Sequence, residues 1–544
     1  MAGRFYLGID VGTGSARAAV FDERGVRAGI GTHPVRRWEP QADFHEQSSE
    51  DIWRACARAV RAALAEGGVP AEAIRGIGFD ATCSLVALDA SNQPITVSPT
   101  REAEQNVILW MDHRAIEQAE RINSTGHAAL RSLGGSISPE MQAPKLLWLK
   151  EHLPDTWASA AHFLDLPDFL SYRATGRDVR SLCTTACKWN YRARQSQWDD
   201  GFFRTIGLED LTEAGHSRIG QDIRPQGQRV GELTAAAAAE LGLVLDTPVA
   251  VSLIDAHAGG VGVLGMNLGG LGANQPLENR LALICGSSTC HMAVSQEERF
   301  VPGVWGPYFS AMIPGLWLAE GGQSATGTLI DHIVYDHARS PELRALERSE
   351  GRTAYEILNA RLVELARKVD FPARLTRDVH VYPDFHGNRS PLADPTLKGM
   401  MCGLTLEASL DALAIEYLAT IQAIAQGTRH IIERLNQGGY CIETLIACGG
   451  GTKNELLVRE HADVTGCAVV LPEEPEAVLL GAAMLGAVAC ADQPSVEAAM
   501  VSMSRPGRII EPTQGAVAAY HEAKWQVYRL MLEHQRLYAD LMRG

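Results

Sequence analysis

A chain of 544 residues exceeds the size at which one hydrophobic core keeps growing, so at least two domains are expected. Apolar residues make up 46% and charged residues 21%, which excludes a disordered chain. A net charge of −16 and a pI near 5.5 argue against non-specific nucleic-acid binding, which draws on a surplus of Lys and Arg.

The N-terminal ten residues carry one Arg and an apolar run too brief for the core of a signal peptide. No stretch reaches about 18 uncharged apolar residues, so a cytoplasmic protein that makes no use of a membrane is expected. The opening then reads as strand, turn, strand: residues 5–9, a glycine-rich turn over 10–15, and a strand over 16–21 that turns at 22–25 into another over 26–30. No helix follows the glycines. That excludes a Rossmann fingerprint and a P-loop, both of which place a helix there.

Residues 50–66 have helical spacing, with Ile52, Trp53, Cys56, Val60 and Leu64 on one stripe. Strands over 74–79 and 85–88 flank a polar turn at 80–84, and short helices are read over 142–152 and 163–175. Alternation of helices with apolar strands argues for an α/β fold with a buried sheet. The alanine run at 235–239 is plain helix former. An apolar strand over 248–253 runs into Asp255-Ala-His-Ala-Gly-Gly, and after Gly262 the chain reads as loop through Gly269, Gly270, Gly272 and Asn279. The domain boundary is placed there, giving an N-terminal domain 1–262 and a C-terminal domain 263–544.

Strands over 281–284 and 290–294, joined by Gly286-Ser-Ser-Thr, repeat the form of the opening. The charged segment 343–378 reads as a solvated helical excursion, 410–435 as a long amphipathic helix, 444–447 as a buried strand opening onto Cys448-Gly-Gly-Gly, and 516–541 as a terminal helix. The 11 cysteines are scattered and several lie in apolar runs, as reduced core thiols do. Cys183 and Cys187 lie four apart, but a zinc site there needs two further ligands that the sequence does not place.

Either glycine-rich turn alone is an ordinary hairpin turn. Two of them, one per half, fit a clamp on a triphosphate, because small residues let backbone N–H groups point into one concavity. Gly12, Thr13, Gly14 and Ser15 supply the first, and Gly286, Ser287 and Ser288 the second. Asp10 ends a strand against the first turn, where a carboxylate can hold Mg²⁺ through water or simply close an Asx turn. Arg17 offers a planar fork to a phosphoryl group or joins an ion pair. Asp255 ends an apolar strand ahead of small residues and suits a general base, with a helix N-cap as the alternative.

These pieces together resemble the FGGY carbohydrate kinases. The resemblance rests on Asp10-Val-Gly-Thr-Gly-Ser-Ala-Arg17, Lys145-Leu-Leu-Trp-Leu-Lys-Glu-His152, Asp255-Ala-His-Ala-Gly-Gly260 and the triplet from Gly449, in the family's order from about residue 5 to 490. It implies two actin/hexokinase-like (ribonuclease H-like) domains with a cleft between them, the sugar mainly on the first and ATP mainly on the second. It implies Asp255 as general base, Thr13 and Arg17 on the phosphates, and Gly449, Gly450, Asn454 and Gln323 on the nucleotide. Many members carry Thr or Ser where Gly14 stands.

Within the family, Glu320-Gly-Gly-Gln-Ser-Ala-Thr-Gly327 and Asp384-Phe-His-Gly-Asn-Arg-Ser-Pro resemble the ribulokinase branch. By that resemblance Lys188 and Glu320 turn to the ketose, Thr82 and Cys83 form a sugar-side loop, and Trp110, Asp112 and Arg114 add contacts. Ion pairs across a cleft use the same residue types, an alternative that stands for Asp112, Arg114 and Lys188. The expected reaction is ATP- and Mg²⁺-dependent phosphorylation of D-ribulose at its terminal hydroxyl. L-ribulose, xylulose or a pentitol such as ribitol are alternative substrates, and a homodimer is an open expectation. A rival from another class is an actin-like ATPase or a non-catalytic nucleotide-binding module.

Overall fold

The computed structural model describes residues 3–269 and 275–543, so the expected loop positions Gly270 and Gly272 lie outside the described residues. The first half opens with β1 (Phe5–Val11), β2 (Ser15–Asp22) and β3 (Arg27–Pro34), an antiparallel meander. Helix α1 (Ser49–Gly67) follows, capped by the Ser48 side chain, and returns the chain to β4 (Ile74–Ala81), which runs parallel to β1. Then come α2 (Gln142–His152), α3 (Leu166–Thr175), α4 (Leu182–Lys188), the edge pair β5 (Arg229–Glu232) and β6 (Pro248–Ala250), and α5 (Asp255–Leu264). The sheet order is β5-β6-β4-β1-β2-β3, and the short strand Leu253–Ile254 also pairs with β4.

The second half repeats this plan. An antiparallel hairpin of β7 (Arg280–Cys285) and β8 (Thr289–Ser295) continues through β9 (Trp305–Phe309) and β10 (Trp317–Gln323). The long α6 (Leu410–Gln437) crosses over to β11 (Thr444–Cys448), parallel to β7. After α7 (Glu455–Thr465) come β12 (Ala468–Pro472), α8 (Ala477–Ala489), β13 (Pro506–Ile510) and α9 (Ala516–Arg543). The order is β9-β10-β8-β7-β11-β12-β13. In each sheet the first strand of the half sits where antiparallel pairing changes to parallel, so both hairpin turns emerge at the same position in their halves.

Helix α8, Ala-Val-Leu-Leu-Gly-Ala-Ala-Met-Leu-Gly-Ala-Val-Ala, carries no charge and is buried on nearly every face, as a helix wrapped by protein must be. It lies against the first-half sheet on one side and α5 on another. Glycines permit this approach: a Cβ on Gly78 of β4 would sit 1.9 Å from the Ala482 carbonyl oxygen, and one on Gly481 1.9 Å from that of Ala258. The two halves therefore share one continuous apolar core.

The structure departs from the sequence reading in three places. Residues read as the start of a helix at 163 form a strand, His162–Asp165, paired with Leu85–Leu88; the helix starts only at Leu166, with Pro167 in its first turn. The apolar run 248–253 is two short strands, and α5 begins at Asp255 itself and continues past Gly262 to Leu264. The charged segment after residue 340 forms helices Ser340–Glu350 and Ala354–Ala366, whose Leu343, Leu358 and Leu362 pack into the second-half core rather than standing free. No described helix is long and apolar enough to cross a membrane.

Gly78→Ala should destabilise the protein by about 3 kcal/mol, because the new methyl meets backbone that cannot rotate away. Gly14→Ala, whose Cβ has open space, should stay within about 0.5 kcal/mol of wild type. Denaturant unfolding of the two variants checks the contrast.

Candidate active site

Parallel pairing decides where the acidic groups fall. Asp10 on β1 is in register with Asp80 on β4, and Asp80 in turn with Leu253, two residues before Asp255. Three carboxylates thus arrive at the carboxyl ends of neighbouring strands, where open α/β sheets bind ligands. Asp10 is 2% exposed, and its Oδ2 accepts hydrogen bonds from Arg17 Nε at 2.8 Å and Nη2 at 2.6 Å. Asp80 is fully buried and neither of its oxygens has a hydrogen-bond donor. Burial, then the charge of Asp10, pushes the Asp80 carboxyl well above the usual carboxylate range. Half-buried Asp255 accepts from the Ala256 N–H at 2.7 Å in the first turn of α5, and burial followed by Asp10 raises its carboxyl to about 6.

An orphaned buried carboxylate beside two more is the donor set a hard divalent cation takes, so these residues fit Mg²⁺ held through oxygen and water. Arg17, expected on phosphate, adopts its ion-pair alternative. It bridges Asp10 and, through Nη1 at 2.8 Å, Glu476 at the start of α8, tying the first hairpin to the second half.

The first turn is held open from the side. Trp110 Nε1 donates to the Thr13 hydroxyl at 3.1 Å, and Gln47 Nε2 donates to the Thr13 carbonyl at 2.9 Å. Gly12 and Ser15 are half-buried and Gly14 is exposed with nothing near its missing side chain, so sterics do not demand glycine there. In the second turn Gly286 and Ser287 are exposed and Ser288 is half-buried; the Ser287 carbonyl accepts from the Thr326 N–H at 2.9 Å.

The turn after β11 lies against the same hairpin. Gly449 has φ +95°, and a Cβ there would come within 2.5 Å of the Cys285 carbonyl oxygen, while Gly450 faces open space. Asn454 is the N-cap of α7, accepting from the Leu456 N–H and donating to the Tyr417 hydroxyl at 2.7 Å. Gln323 turns inward, donating to the Ile424 carbonyl and the Thr428 hydroxyl, both at 3.1 Å. For these two the side chain is committed to packing α6 and α7.

On the sugar side, Lys188 ends α4 with its ammonium 4.6 Å from the Trp305 ring centroid. Burial would lower its pKa, but the nearby Glu320 carboxylate works against that and the pKa stands raised. Glu320 on β10 is 3% exposed; Oε2 receives His257 Nε2 at 3.2 Å and Oε1 pairs with Arg389. Against burial, Lys188 and those two partners hold its carboxyl below the usual range. Thr82 bonds Ser84 side chain to side chain at 3.0 Å, and burial pushes the Cys83 thiol up to about 12, so the 82–83 turn offers a neutral wall.

Asp112 is a correction. Its side chain and that of Arg114 have no exposed area: Asp112 Oδ2 takes Arg114 Nη2 at 2.7 Å and the His45 N–H at 2.6 Å, and Arg114 also pairs with Glu46 at 2.8 Å. With both oxygens engaged inside, it takes the ion-pair alternative and anchors the Trp110 loop.

Sequence reasoning missed Asp80, which it read as part of a turn, and His257 and Arg389; with Cys183, noted in the sequence only for its spacing to Cys187, they line up as Cys183 Sγ to His257 Nδ1 at 2.9 Å and His257 to Glu320 to Arg389. The signal for His257 was its place two residues after Asp255; nothing local marked Asp80.

Residues 5–262 match the N-terminal domain, and residues 281–490 the C-terminal domain, of the FGGY family of carbohydrate kinases. Over 544 residues the chain is 52% identical to the human FGGY carbohydrate kinase domain-containing protein, covering 99% of this chain and 98% of that one. It is 40% identical over 516 residues to the D-ribulokinase of Saccharomyces cerevisiae, covering 90% of this chain and 72% of that one. Among solved structures, xylulose kinase from Rhodospirillum rubrum shares the fold, with a TM-score of 0.78 at 20% identity over 98% of this chain and 99% of that one. With both family domains matched in order across a two-lobed α/β fold, the chain belongs to the FGGY family of carbohydrate kinases and is a sugar kinase.

Proposed function

We propose that the protein transfers the γ-phosphoryl group of ATP to the terminal hydroxyl of a pentulose, with D-ribulose as the preferred acceptor. One observation carries the reading: parallel pairing brings Asp255 to the strand ends beside Asp10 and Asp80, and its carboxyl feels the negative charge of Asp10 and the positive charge of Lys188. The likeness to the yeast D-ribulokinase supports the choice of sugar. L-ribulose, xylulose and ribitol remain the competing acceptors. A cytoplasmic setting and a division into a sugar-binding 1–262 and an ATP-binding 263–544 belong to the same proposal.

In this mechanism Lys188 donates to a ketose oxygen and Glu320 accepts from its hydroxyls. Asp255 takes the proton of the terminal hydroxyl as that oxygen forms its bond to the γ-phosphorus and ADP departs with the electrons of the broken P–O bond. The backbone N–H groups of the turns at Gly12–Ser15 and Gly286–Ser288 receive the phosphates, with the Thr13 hydroxyl oriented by Trp110. Asp10 and Asp80 would hold Mg²⁺, which neutralises charge on the phosphate chain when bound. Gly449 lets the turn close against the Cys285 backbone of β7, and Gly450 leaves open space beside it for the nucleotide. Arg17 keeps Asp10 in place from the opposite side. Closure of the halves excludes water as a rival nucleophile.

Asp255→Ala should lower kcat by at least about 100-fold while leaving the circular dichroism spectrum unchanged; more than about a tenth of wild-type turnover removes Asp255 from the base role. Because the base acts ionised and its carboxyl lies at about 6, kcat/KM should fall with decreasing pH through that value. A pH series checks it, and a flat profile down to pH about 5 counts against the assignment. Across D- and L-pentuloses, pentitols and glycerol, ADP release should rise most with D-ribulose. ADP release indifferent to every acceptor favours the actin-like ATPase reading, and none at all favours a non-catalytic nucleotide-binding module.

A further inference from the structure

Behind Glu320, through His257, lies a group of soft side chains that phosphoryl transfer does not use. Cys183 and Cys187 are four apart on α4, a spacing that puts both thiols on one helix face. That face meets the first turn of α5, where His257 projects. The two sulfurs and an imidazole nitrogen all lie within 4.8 Å of one another, and all three residues are buried.

The imidazole is already oriented as a metal ligand is. Its Nε2 meets the Glu320 carboxylate at 3.2 Å, which directs Nδ1 at the sulfur of Cys183, 2.9 Å away. Metal-ligating histidines characteristically donate the other ring N–H to a carboxylate or carbonyl, fixing tautomer and ring plane. Glu320 is in turn fixed by Arg389.

We propose that Cys183, Cys187 and His257 bind one borderline-soft divalent cation of the zinc class, with Glu320 as the carboxylate behind the histidine. Two thiolates and an imidazole match that cation's preference for sulfur and nitrogen over the oxygen donors that suit Mg²⁺. Bond lengths of about 2.3 Å to sulfur and 2.0 Å to nitrogen put neighbouring ligand atoms about 3.5–3.8 Å apart. The widest separation here therefore closes by no more than about 1 Å and the Cys183–His257 contact opens slightly, changes a thiol makes by rotating about its own Cα–Cβ bond. Binding exchanges thiol and imidazole protons for the cation, and water takes the remaining coordination position. Without the cation the same atoms close on each other as a thiol–imidazole contact. The site differs from the neighbouring acidic strand ends in donor type, sulfur and nitrogen against carboxylate oxygen, so the two would select chemically distinct cations.

The test uses the full-length chain carrying Cys402→Ser and Cys441→Ser, which removes the exposed thiols, in a phosphine reductant. Titration with Cd²⁺ should give one equivalent per chain with the ultraviolet thiolate-to-metal charge-transfer band. Adding Cys183→Ser and Cys187→Ser should abolish that band with the far-ultraviolet circular dichroism unchanged. A band that survives both changes, or no uptake in the parent, overturns the proposal. Should the added substitutions prevent folding, Co²⁺ titration of the parent decides: tetrahedral d–d and thiolate charge-transfer bands at one equivalent uphold the site, and an octahedral aquo-type spectrum overturns it. Neither readout depends on kinase activity, so failure here leaves the phosphoryl-transfer reading untouched.

Discussion

Like charges concentrated in a buried space dominate this molecule. Asp10, Asp80 and Asp255 are delivered by three adjacent parallel strands to one end of one sheet, and Asp80 has no donor of its own. Three ionised carboxylates so placed repel, and desolvation adds to the penalty. Relief comes from outside or from protons: Arg17 neutralises Asp10, and the raised carboxyls of Asp80 and Asp255 show the remaining strain as a bias toward the neutral form. A site built this way is stable when something positive occupies it. On the proposed function, a divalent ion arriving with substrate would supply that charge and favour the ionised form of Asp255.

Such a cluster persists only if the strands cannot drift apart. Their spacing is set by α8, whose alanines and glycines lie on the backbone of β1, β4 and α5 with no side chain between. A helix without a charged face has no preference for water, so it stays between the halves and carries the Glu476 end towards Arg17. The ion pair across the first hairpin and the apolar helix are parts of one arrangement: packing fixes distance, and the salt bridge ties the hairpin to the start of α8.

Much of this was legible in the sequence where a local pattern and a local structure coincide. The Gly12–Ser15 and Gly286–Ser288 turns, the helix at Gln142–His152 and the strand before Gly449 follow from alternation, glycine and spacing within about ten residues. The second half's repetition of the first was visible in form because both hairpins need small residues at the turn. Asp80 was not legible, since its meaning comes from pairing with a strand 70 residues earlier in register. Likewise Pro167 marked a helix start that the apolar run before it disguised, and the strand at His162–Asp165 is defined by its partner at Leu85–Leu88 rather than by its own four residues.

Asp112 and Glu320 show why charge alone misleads. Both are buried carboxylates paired with an arginine, and in sequence both stand within three residues of a tryptophan, Trp110 and Trp317. Asp112 faces a guanidinium that takes both oxygens, with a backbone N–H completing the set, and the pair is sealed between Phe44 and Trp148. Glu320 shares its arginine with an imidazole and a nearby ammonium, an excess of positive partners over one negative charge. A closed pair has nothing left to offer a ligand. An open network with surplus donors does, and that surplus, visible only once three separate elements meet, separates Glu320 from the closed Asp112 pair.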